Sequence, residues 1–256
     1  MLLAFDLDKT LVTDDFTLPL TIERAIRAAR DRGHLVTVLT GRPLSGARPY
    51  LDQLDVTGPF SVNHGGQVIG EHGRELRRRR IAARDVDGLL EGHLGASDVE
   101  FSCIVDDVLW VRDPDDDRWE WAHTRSRRVD RFRTGMELDA DKLVFFSQQR
   151  STDLDREVAA RHPDMLRYLW GDGFLEVLPP QADKGSALAL IAEDRGVPRG
   201  EVVAFGDGLN DFTMVTWAGH GIAVGDAHPE LVAAAAEHIP SPEEGGVAAW
   251  IEANVL

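Results

Sequence analysis

The sequence predicts an α/β protein in which a doubly wound parallel sheet is interrupted by an inserted α+β module. From the first residue to about residue 70, short apolar runs alternate with segments of helical period, and the same alternation resumes after residue 179. The stretch between is rich in strands that lack this order. Because alternating strands and helices form parallel sheets with right-handed crossovers, we expect residues 1–78 and 177–256 to build the sheet and residues 79–176 to form the module.

The first part of the chain contains three predicted strands and two predicted helices. Apolar residues recur at helical spacing from Ile22 to Ala29, and Gly33 follows where helices commonly end. The apolar runs on either side are short and unbroken, which is typical of strands covered on both faces. The predicted elements are strand Met1–Phe5, helix Ile22–Arg32, strand Leu35–Leu39, helix Leu44–Leu54 and strand Phe60–Val62.

The module and the last part of the chain differ in their order of elements. In the module we expect hairpins with two helices, and Asp113–Asp117 is a strong turn signal between strands. Its predicted strands are Val99–Val105, Val108–Val111, Trp119–Thr124, Leu143–Ser147 and two within Met165–Val177; its helices are Asp85–Leu94 and Leu154–Arg161. The last part is predicted as helix Ala187–Arg195, strand Glu201–Phe205, helix Phe212–Ala218, strand Gly221–Val224, helix Pro229–Glu237 and a closing segment Gly246–Ala253.

Composition narrows the classes of function. The net charge of −16 argues against a nucleic-acid or anionic-membrane binder, and an anionic substrate would need a local cation or metal. The lone cysteine, Cys103, excludes an internal disulfide framework and lies in an apolar stretch, where we expect a packed core thiol. We find no basic and apolar leader and no apolar run that could span a bilayer, so we expect a cytoplasmic protein without a membrane partner.

Two carboxylates follow the first predicted strand. Asp6 and Asp8 leave the same side of the strand because side chains alternate with period two. Carboxylates aimed at one point repel unless a cation or a shared proton lies between them. The pair is therefore typical of a hard-metal site, an acid/base pair or both, although a polar turn has the same pattern. The residues alone do not decide which of the two would be a nucleophile.

Three more polar clusters lie at strand ends or helix starts. Thr40 and Gly41 fit either a plain turn or a phosphate site built from a hydroxyl and a backbone N–H. Lys184 opens a helix, where a cation opposes the macrodipole; it is either a surface residue or the partner of an anion. The loop Gly206–Asp211, with Asp207, Asn210 and Asp211, suits Mg²⁺ but is also compatible with a structural role.

These clusters converge only if the sheet forms, because ligands of open parallel sheets bind beyond the carboxyl ends of the strands. Together they supply an oxygen nucleophile, an acid/base, cations and phosphate donors, which are the requirements of phosphoryl transfer. Two other features are more ambiguous. The arginine-rich run Arg74–Arg84 is expected to be a solvated face rather than a substrate patch. Four tryptophans of the module are candidates for a sugar platform, although we expect most to be packing residues: Trp110, Trp119, Trp121 and Trp170.

These motifs resemble a known family. Asp6–Thr10, Thr40, Lys184 and Gly206–Asp211, in that order, are similar to the four motifs of the haloacid dehalogenase (HAD) superfamily of phosphatases. Further segments resemble its Cof-type branch, which includes sucrose-phosphate phosphatases and carries a C2B cap between the second and third motifs: Asn63–Gly66, Phe174–Leu178, Ala218–Val224 and Gly245–Val247. The resemblance covers the whole chain and implies an HAD-like core with residues 79–176 as the cap.

The resemblance also implies roles. Asp6 would attack phosphorus, and Asp8 would protonate the leaving alcohol and then activate water. Lys184 would hold both the phosphate and the nucleophile. The cofactor would be Mg²⁺, held by Asp6, the Asp8 backbone carbonyl and Asp207, with Asp211 as a further ligand or support. The phosphate oxygens would be bound by Thr40, Gly41 and Asn210, together with Lys184.

Two departures from the family pattern bear on substrate preference. Lys9 stands where many relatives have Gly, and Asp226 where they often have Asn. The implied function is a Mg²⁺-dependent phosphatase for a small phosphorylated metabolite, with a sugar phosphate as the favoured substrate. Two alternatives stay open at this point: a phosphosugar mutase of the same superfamily and a non-catalytic regulatory module.

Overall fold

The computed structural model describes residues 1–124 and 127–256. Within these residues it contains strands and α-helices joined by short turns. The strands are β1 Leu2–Phe5, β2 Leu35–Val38, β3 Phe60–Val62, β4 Gln67–Ile69, β5 Glu75–Arg78, β6 Glu100–Val105, β7 Val108–Val111, β8 Val129–Arg131, β9 Lys142–Phe146, β10 Leu166–Leu169, β11 Phe174–Leu178, β12 Val202–Gly206, β13 His220–Val224 and β14 Glu237–Ile239. The helices are α1 Leu20–Asp31, α2 Leu44–Gln53, α3 Ala83–Leu90, α4 Glu120–Thr124, α5 Ser151–Arg161, α6 Lys184–Asp194, α7 Phe212–Trp217, α8 Pro229–Ala234 and α9 Gly246–Asn254. None of these helices is long and apolar enough to cross a membrane.

The chain divides into two compact units. The first contains residues 1–78 and 183–256, and the second contains residues 79–182. The second unit ends later than residue 176, the end predicted for the module. The reason is that β11 pairs antiparallel with β9, so its whole length belongs to the sheet of the second unit.

The first unit is built on a five-stranded sheet in the order β14-β13-β12-β1-β2, and all of its neighbouring strands run parallel. The chain passes from β1 to β2 in one direction and later from β12 to β14 in the other. Strands β1 and β12 therefore flank the point at which the winding reverses, where open sheets bind their ligands. The predicted doubly wound parallel sheet is confirmed.

Helices cover both faces of this sheet. Leu3 and Phe5 of β1 lie in a core with α1, α2 and α9, whereas Leu2 and Ala4 lie in a core with α6, α7 and α8. Since side chains of a strand alternate between faces, a strand buried on both sides must be apolar at every position. This explains the unbroken apolar run that leads into Asp6.

Two strands of the first unit depart from the predicted pattern. β3 belongs to a separate antiparallel sheet, β3-β4-β5, and meets the parallel sheet at an isolated bridge between Leu39 and Ser61. Residue Glu237, predicted as the end of a helix, instead begins β14, because α8 stops at Ala234. β14 has only three residues, of which one is buried, so it carries too little apolar pattern to predict.

The second unit is a six-stranded sheet in the order β10-β11-β9-β6-β7-β8, with antiparallel neighbours except the parallel pair β7 and β8. One face packs on α3 and α5. Cys103 lies in this core as expected, and its burial raises the pKa of the thiol to about 12. The separate α+β character of this part of the chain agrees with the sequence prediction.

The prediction of a strand over Trp119–Thr124 is wrong. Residues Asp117–Trp119 form a 3₁₀ turn that continues into helix α4. The side chain of Asp116 accepts a hydrogen bond from the backbone N–H of Arg118, which caps the turn. Trp119 is buried against Leu109 and Val111, so the apolar residue that resembled a strand position is the packing face of a turn.

Arginines of the basic run form contacts within each unit. In the first unit, Arg74 pairs with Asp194 at 2.7 Å and Arg77 donates to the carbonyl of Gly65 at 2.8 Å. In the second unit, Arg80 pairs with Asp106 and Asp141. Two of the four tryptophans pack as expected, Trp110 against the main core and Trp119 in its own cluster, whereas Trp121 is exposed.

Helix α7 packs so closely on the sheet at Gly221 that we expect a larger residue there to destabilise the protein. A Cβ atom there would lie 2.1 Å from the carbonyl oxygen of Val215. We expect Gly221→Ala to lower the free energy of unfolding by about 1–3 kcal/mol, because the added methyl group overpacks the contact. Gly200→Ala is the control, since nothing lies within 4 Å of its Cβ position. Urea unfolding of both variants measures the difference, and equal stability would contradict the packing argument.

Candidate active site

Strand β1 places Asp6 at the centre of the sheet. The backbone N–H of Asp6 donates to the carbonyl of Phe205 at 3.1 Å, so the residue continues the pairing of β1 with β12. The rings of Phe5 and Phe205, which precede Asp6 and Gly206 in the two strands, stack with centroids 4.7 Å apart. Asp6 is buried, whereas the side chain of Asp8, beyond the end of the strand, is 45% exposed.

The loop after β12 brings two more carboxylates to Asp6. Oδ2 of Asp211 accepts hydrogen bonds from the backbone N–H groups of Asp207 and Gly208, both at 3.0 Å, which closes the loop on itself. Gly206 permits this closure, because a Cβ atom there would lie 2.4 Å from the Cβ of Asp211. Thr10 donates to Oδ1 of Asp207 at 3.3 Å and ties the loop to the chain that follows β1.

Lys184 is the first residue of α6 and is completely buried. Its Nζ donates to Oδ1 of Asp6 at 2.6 Å and to Oδ1 of Asp211 at 2.5 Å. Asp183 caps the helix by accepting from the N–H of Ser186 at 2.8 Å, which fixes where the lysine leaves the backbone. The interpretation of Lys184 as a surface residue is therefore wrong, and its partners are carboxylates of the same unit.

Negative charge is in excess in this cluster. Burial raises the pKa of Asp207 to about 7, and the neighbouring Asp211 adds to the shift. Burial also raises the pKa of Asp6, again reinforced by Asp211. Burial acts to lower the pKa of Lys184, but the attraction of Asp211 and Asp6 outweighs it and the pKa is raised. The ammonium therefore stays charged while neighbouring carboxylates resist ionisation.

This donor set fits a hard divalent cation. Asp6, Asp207 and Asp211 each offer a carboxylate oxygen, and these atoms lie within 4.8 Å of one another. Carboxylate oxygens are preferred ligands of Mg²⁺, and a dication would relieve the repulsion that raises the pKa values of Asp6 and Asp207. Asp211 already accepts from Lys184 and from two backbone N–H groups, so it also supports the loop that carries Asp207.

Thr40 and Gly41 lie just beyond β2, the strand next to β1. Thr40 is buried, and its backbone N–H donates to the carbonyl of Ser61 at 3.0 Å. Gly41 gives space to the ring of His64, which approaches within 2.3 Å of the position a Cβ would take. In the loop after β12, the Asn210 side chain lies against Gly208, where an added Cβ would be 2.3 Å from its Oδ1.

Arg42 was not among the predicted site residues. Arg42 forms a two-point ion pair with Asp8: its Nε donates to Oδ2 at 2.9 Å and its Nη2 donates to Oδ1. Burial acts to lower the pKa of Arg42, but the hydrogen bonds and charge of Asp8 raise it. The sequence feature that could have identified Arg42 is its position directly after Thr40 and Gly41, which were both predicted to bind phosphate.

The structure thus joins the predicted residues in two groups. Asp6, Lys184 and Asp211 are in direct contact, and Asp207 is tied to them through the loop after β12. Asp8 is linked through Arg42 to the loop that carries Thr40 and Gly41, since the N–H of Arg42 donates to Oγ1 of Thr40 at 3.1 Å. Asn210 lies in the loop after β12, which also carries Asp207 and Asp211.

Comparison with known proteins identifies the family. The haloacid dehalogenase-like hydrolase family matches residues 3–251 of the chain, which therefore belongs to that family. The predictions of this family and of a hydrolase of the HAD phosphatase type are confirmed.

Particular relatives share nearly the whole chain. A 5-amino-6-(5-phospho-D-ribitylamino)uracil phosphatase, YwtE, of Bacillus subtilis is 27% identical over 98% of this chain and 96% of its own length. An HMP-PP phosphatase of Cronobacter sakazakii is 26% identical over 90% of this chain and 86% of its own. Among solved structures, the HAD subclass IIB sugar phosphatase BT4131 has a TM-score of 0.81 at 20% identity, with 98% of both chains covered, which shows a common fold.

The crowded carboxylates make the stability of the metal-free protein depend on pH. Because the pKa of Asp207 is raised from 3.8 to about 7 on folding, the folded state binds this proton more tightly than the unfolded state. The contribution of Asp207 to stability is therefore lost as the pH rises from about 4 to about 7. In EDTA near pH 7 we expect Asp207→Asn to be more stable than the wild type by up to about 4 kcal/mol, since each pKa unit corresponds to about 1.4 kcal/mol. Urea unfolding across this pH range measures the difference.

Adding Mg²⁺ should reverse the destabilisation that the crowded carboxylates cause. We expect the ion to raise the unfolding free energy of the wild type and to leave Asp207→Asn nearly unchanged, because only the folded wild type offers the full ligand set. The control is Asp226→Asn, an exposed carboxylate outside the cluster, which should follow the wild type. An identical response of all three proteins would show that the cluster does not bind the ion.

Proposed function

We propose that this protein hydrolyses the phosphomonoester of a small metabolite, with Mg²⁺ as cofactor and an aspartyl phosphate formed on Asp6. The observation that carries the proposal is the buried ammonium of Lys184, 2.6 Å from Asp6 and 2.5 Å from Asp211, which are two of the three carboxylates that suit a dication. The contact of Asp6 with a buried ammonium supports its assignment as the nucleophile, because transfer of a phosphoryl dianion requires positive charge beside the attacking carboxylate.

The reaction has two steps. One carboxylate oxygen of Asp6 bonds to phosphorus while the bond to the leaving oxygen breaks, and Asp8 gives that oxygen a proton. In the second step water attacks the aspartyl phosphate, Asp8 takes the proton back, and Asp6 and inorganic phosphate are released. We assign Asp6 as the nucleophile because Lys184 holds its Oδ1, whereas the more exposed Asp8 is free of Lys184 and reaches solvent.

The remaining residues bind the transferring group. When bound, Mg²⁺ offsets the negative charge of the phosphoryl group. Asp6, the backbone carbonyl of Asp8 and Asp207 would hold the ion, and Asp211 would support it. Thr40, Gly41 and Asn210 would donate to phosphate oxygens, and Lys184 would neutralise the charge shared by phosphate and nucleophile.

The substrate is proposed to be a sugar phosphate or a similarly small phosphorylated metabolite. Supporting observations are the relatives named for phosphorylated ribitylaminouracil and for HMP-PP, and the shared fold with a sugar phosphatase. We propose that the second unit, residues 79–182, is a C2B-type cap that selects the leaving group, as the resemblance implies. The lone buried thiol and the acidic composition are compatible with action in the cytoplasm.

Phosphate release from p-nitrophenyl phosphate and a panel of sugar phosphates tests this function. We expect activity with Mg²⁺ and loss of activity in EDTA. Asp6→Asn should lower kcat by at least about 1,000-fold, because it removes the nucleophile without changing the size of the side chain. The matched control is Asp52→Asn, an exposed carboxylate on α2, which should keep full activity.

Two outcomes would overturn parts of the proposal. Full activity of Asp6→Asn would exclude the covalent intermediate on that residue. A sugar bisphosphate formed without free phosphate would replace hydrolysis by transfer to a second sugar position, which is the mutase alternative.

A further inference from the structure

Arg42 holds both oxygens of the Asp8 carboxylate. Its Nε donates to Oδ2 at 2.9 Å and its Nη2 donates to Oδ1, so the planar guanidinium and the carboxylate face each other in a fork. Such a pair fixes the plane of a carboxylate as well as its position, which a lysine ammonium cannot do. Asp8 is the group that must meet the leaving oxygen in the proposed reaction.

The guanidinium is itself held by two aromatic rings. Its central carbon lies 4.6 Å from the centroid of the Tyr50 ring on α2 and 5.6 Å from that of Phe16 in the loop after β1. The hydroxyl of Tyr50 donates to the backbone carbonyl of Phe16 at 2.9 Å, which joins helix and loop around the arginine. Contacts of a cation with ring faces are favourable and directional.

The backbone of Arg42 is fixed on both sides as well. Its N–H donates to Oγ1 of Thr40 at 3.1 Å, and its carbonyl accepts from the N–H of Asn63 at 2.9 Å. Nη1 donates to the carbonyl of Gly46 in the first turn of α2 at 3.3 Å. Together with the two aromatic rings, these contacts restrain both the backbone and the guanidinium of Arg42.

Exposure separates the roles of the two partners. The side chain of Arg42 is 19% exposed, whereas that of Asp8 is 45% exposed. The arginine is thus enclosed by its supports, and the carboxylate that it holds stays accessible. This is the arrangement expected of a residue that acts through another group.

We propose that Arg42, supported by Phe16 and Tyr50, is a positioning residue that aims the Asp8 carboxylate at the leaving oxygen of the substrate. The inference rests on the proposed phosphatase function. It assigns Arg42 to the leaving-group side of the reaction and not to phosphate binding, because Nε and one N–H of Nη2 form a two-point fork with the carboxylate of Asp8.

The dependence on leaving group distinguishes this role from a structural one. An alkoxide leaves only with a proton from Asp8, whereas p-nitrophenolate leaves readily without one. If Asp8 is no longer oriented towards the leaving oxygen, the hydrolysis of an alkyl phosphate should therefore slow, whereas that of p-nitrophenyl phosphate should change little. The ratio kcat/KM is the appropriate measure, because it reports steps up to formation of the aspartyl phosphate and is independent of the shared second step.

The experiment compares Arg42→Ala, Arg42→Lys and the control Arg48→Ala, with 2-glycerol phosphate and p-nitrophenyl phosphate as substrates. Arg48 lies on α2 and is exposed, with its guanidinium over the ring of Phe60. We expect both Arg42 variants to lose about 100-fold in kcat/KM on the alkyl phosphate, the size of a typical general-acid contribution, and little on the aryl phosphate. Guanidinium ion at non-denaturing concentration should restore part of the loss in Arg42→Ala only.

Coupling to Asp8 gives a second, independent readout. If Arg42 acts through Asp8, the double variant Arg42→Ala/Asp8→Asn should be no slower on the alkyl phosphate than Asp8→Asn alone. Equal losses on both substrates, or additive losses in the double variant, would overturn the assignment and make Arg42 a phosphate-binding or purely structural residue. The wild type and Arg48→Ala test the phosphatase function separately: if neither hydrolyses either substrate, the proposed function itself fails.

Discussion

The arrangement of the candidate site in the first unit depends on one buried cation, the ammonium of Lys184. Taking an ammonium out of water costs several kcal/mol unless opposite charges and hydrogen bonds replace its hydration. Lys184 is fully buried, and it meets this requirement with Asp6 and Asp211, which lie 178 and 27 residues away in the chain. The start of α6, the end of β1 and the loop after β12 must therefore meet at one point, which is the reversal point of the doubly wound sheet.

Small residues allow that meeting to be close. Gly206 leaves room for Asp211 to fold back on its own loop, and Gly185 lets the start of α6 approach Thr213 of α7, where a Cβ would lie 2.6 Å from the carbonyl oxygen. The cluster keeps more carboxylates than ammonium groups, and the raised pKa values of Asp6 and Asp207 are the physical sign of this imbalance. A divalent cation is the simplest group that completes it.

The candidate site has two parts that differ in charge and burial, which we call its two poles: the cluster around Lys184 and the ion pair of Asp8 with Arg42. At one pole, buried carboxylates and Lys184 surround the place proposed for metal and phosphate. At the other, the partly exposed Asp8 is oriented by Arg42, which is held by aromatic rings of the same unit. Under the proposed mechanism this separates charge neutralisation from proton transfer. Burial strengthens electrostatics at the first pole, and access to the leaving group is kept at the second.

The sequence by itself determined the parallel sheet, the inserted α+β part and the strand-end motifs, because strand burial and helical period are local properties of the chain. Asp6, Asp207 and Asp211 could be predicted as candidate metal ligands because carboxylates follow fully apolar strands. Tertiary structure alone decided that Lys184 is buried, that Arg42 holds Asp8, that Trp119 ends a 3₁₀ turn rather than beginning a strand, and that β3 leaves the main sheet. Each of these depends on a partner distant in sequence or on packing in three dimensions, and neither leaves a periodic trace in the chain.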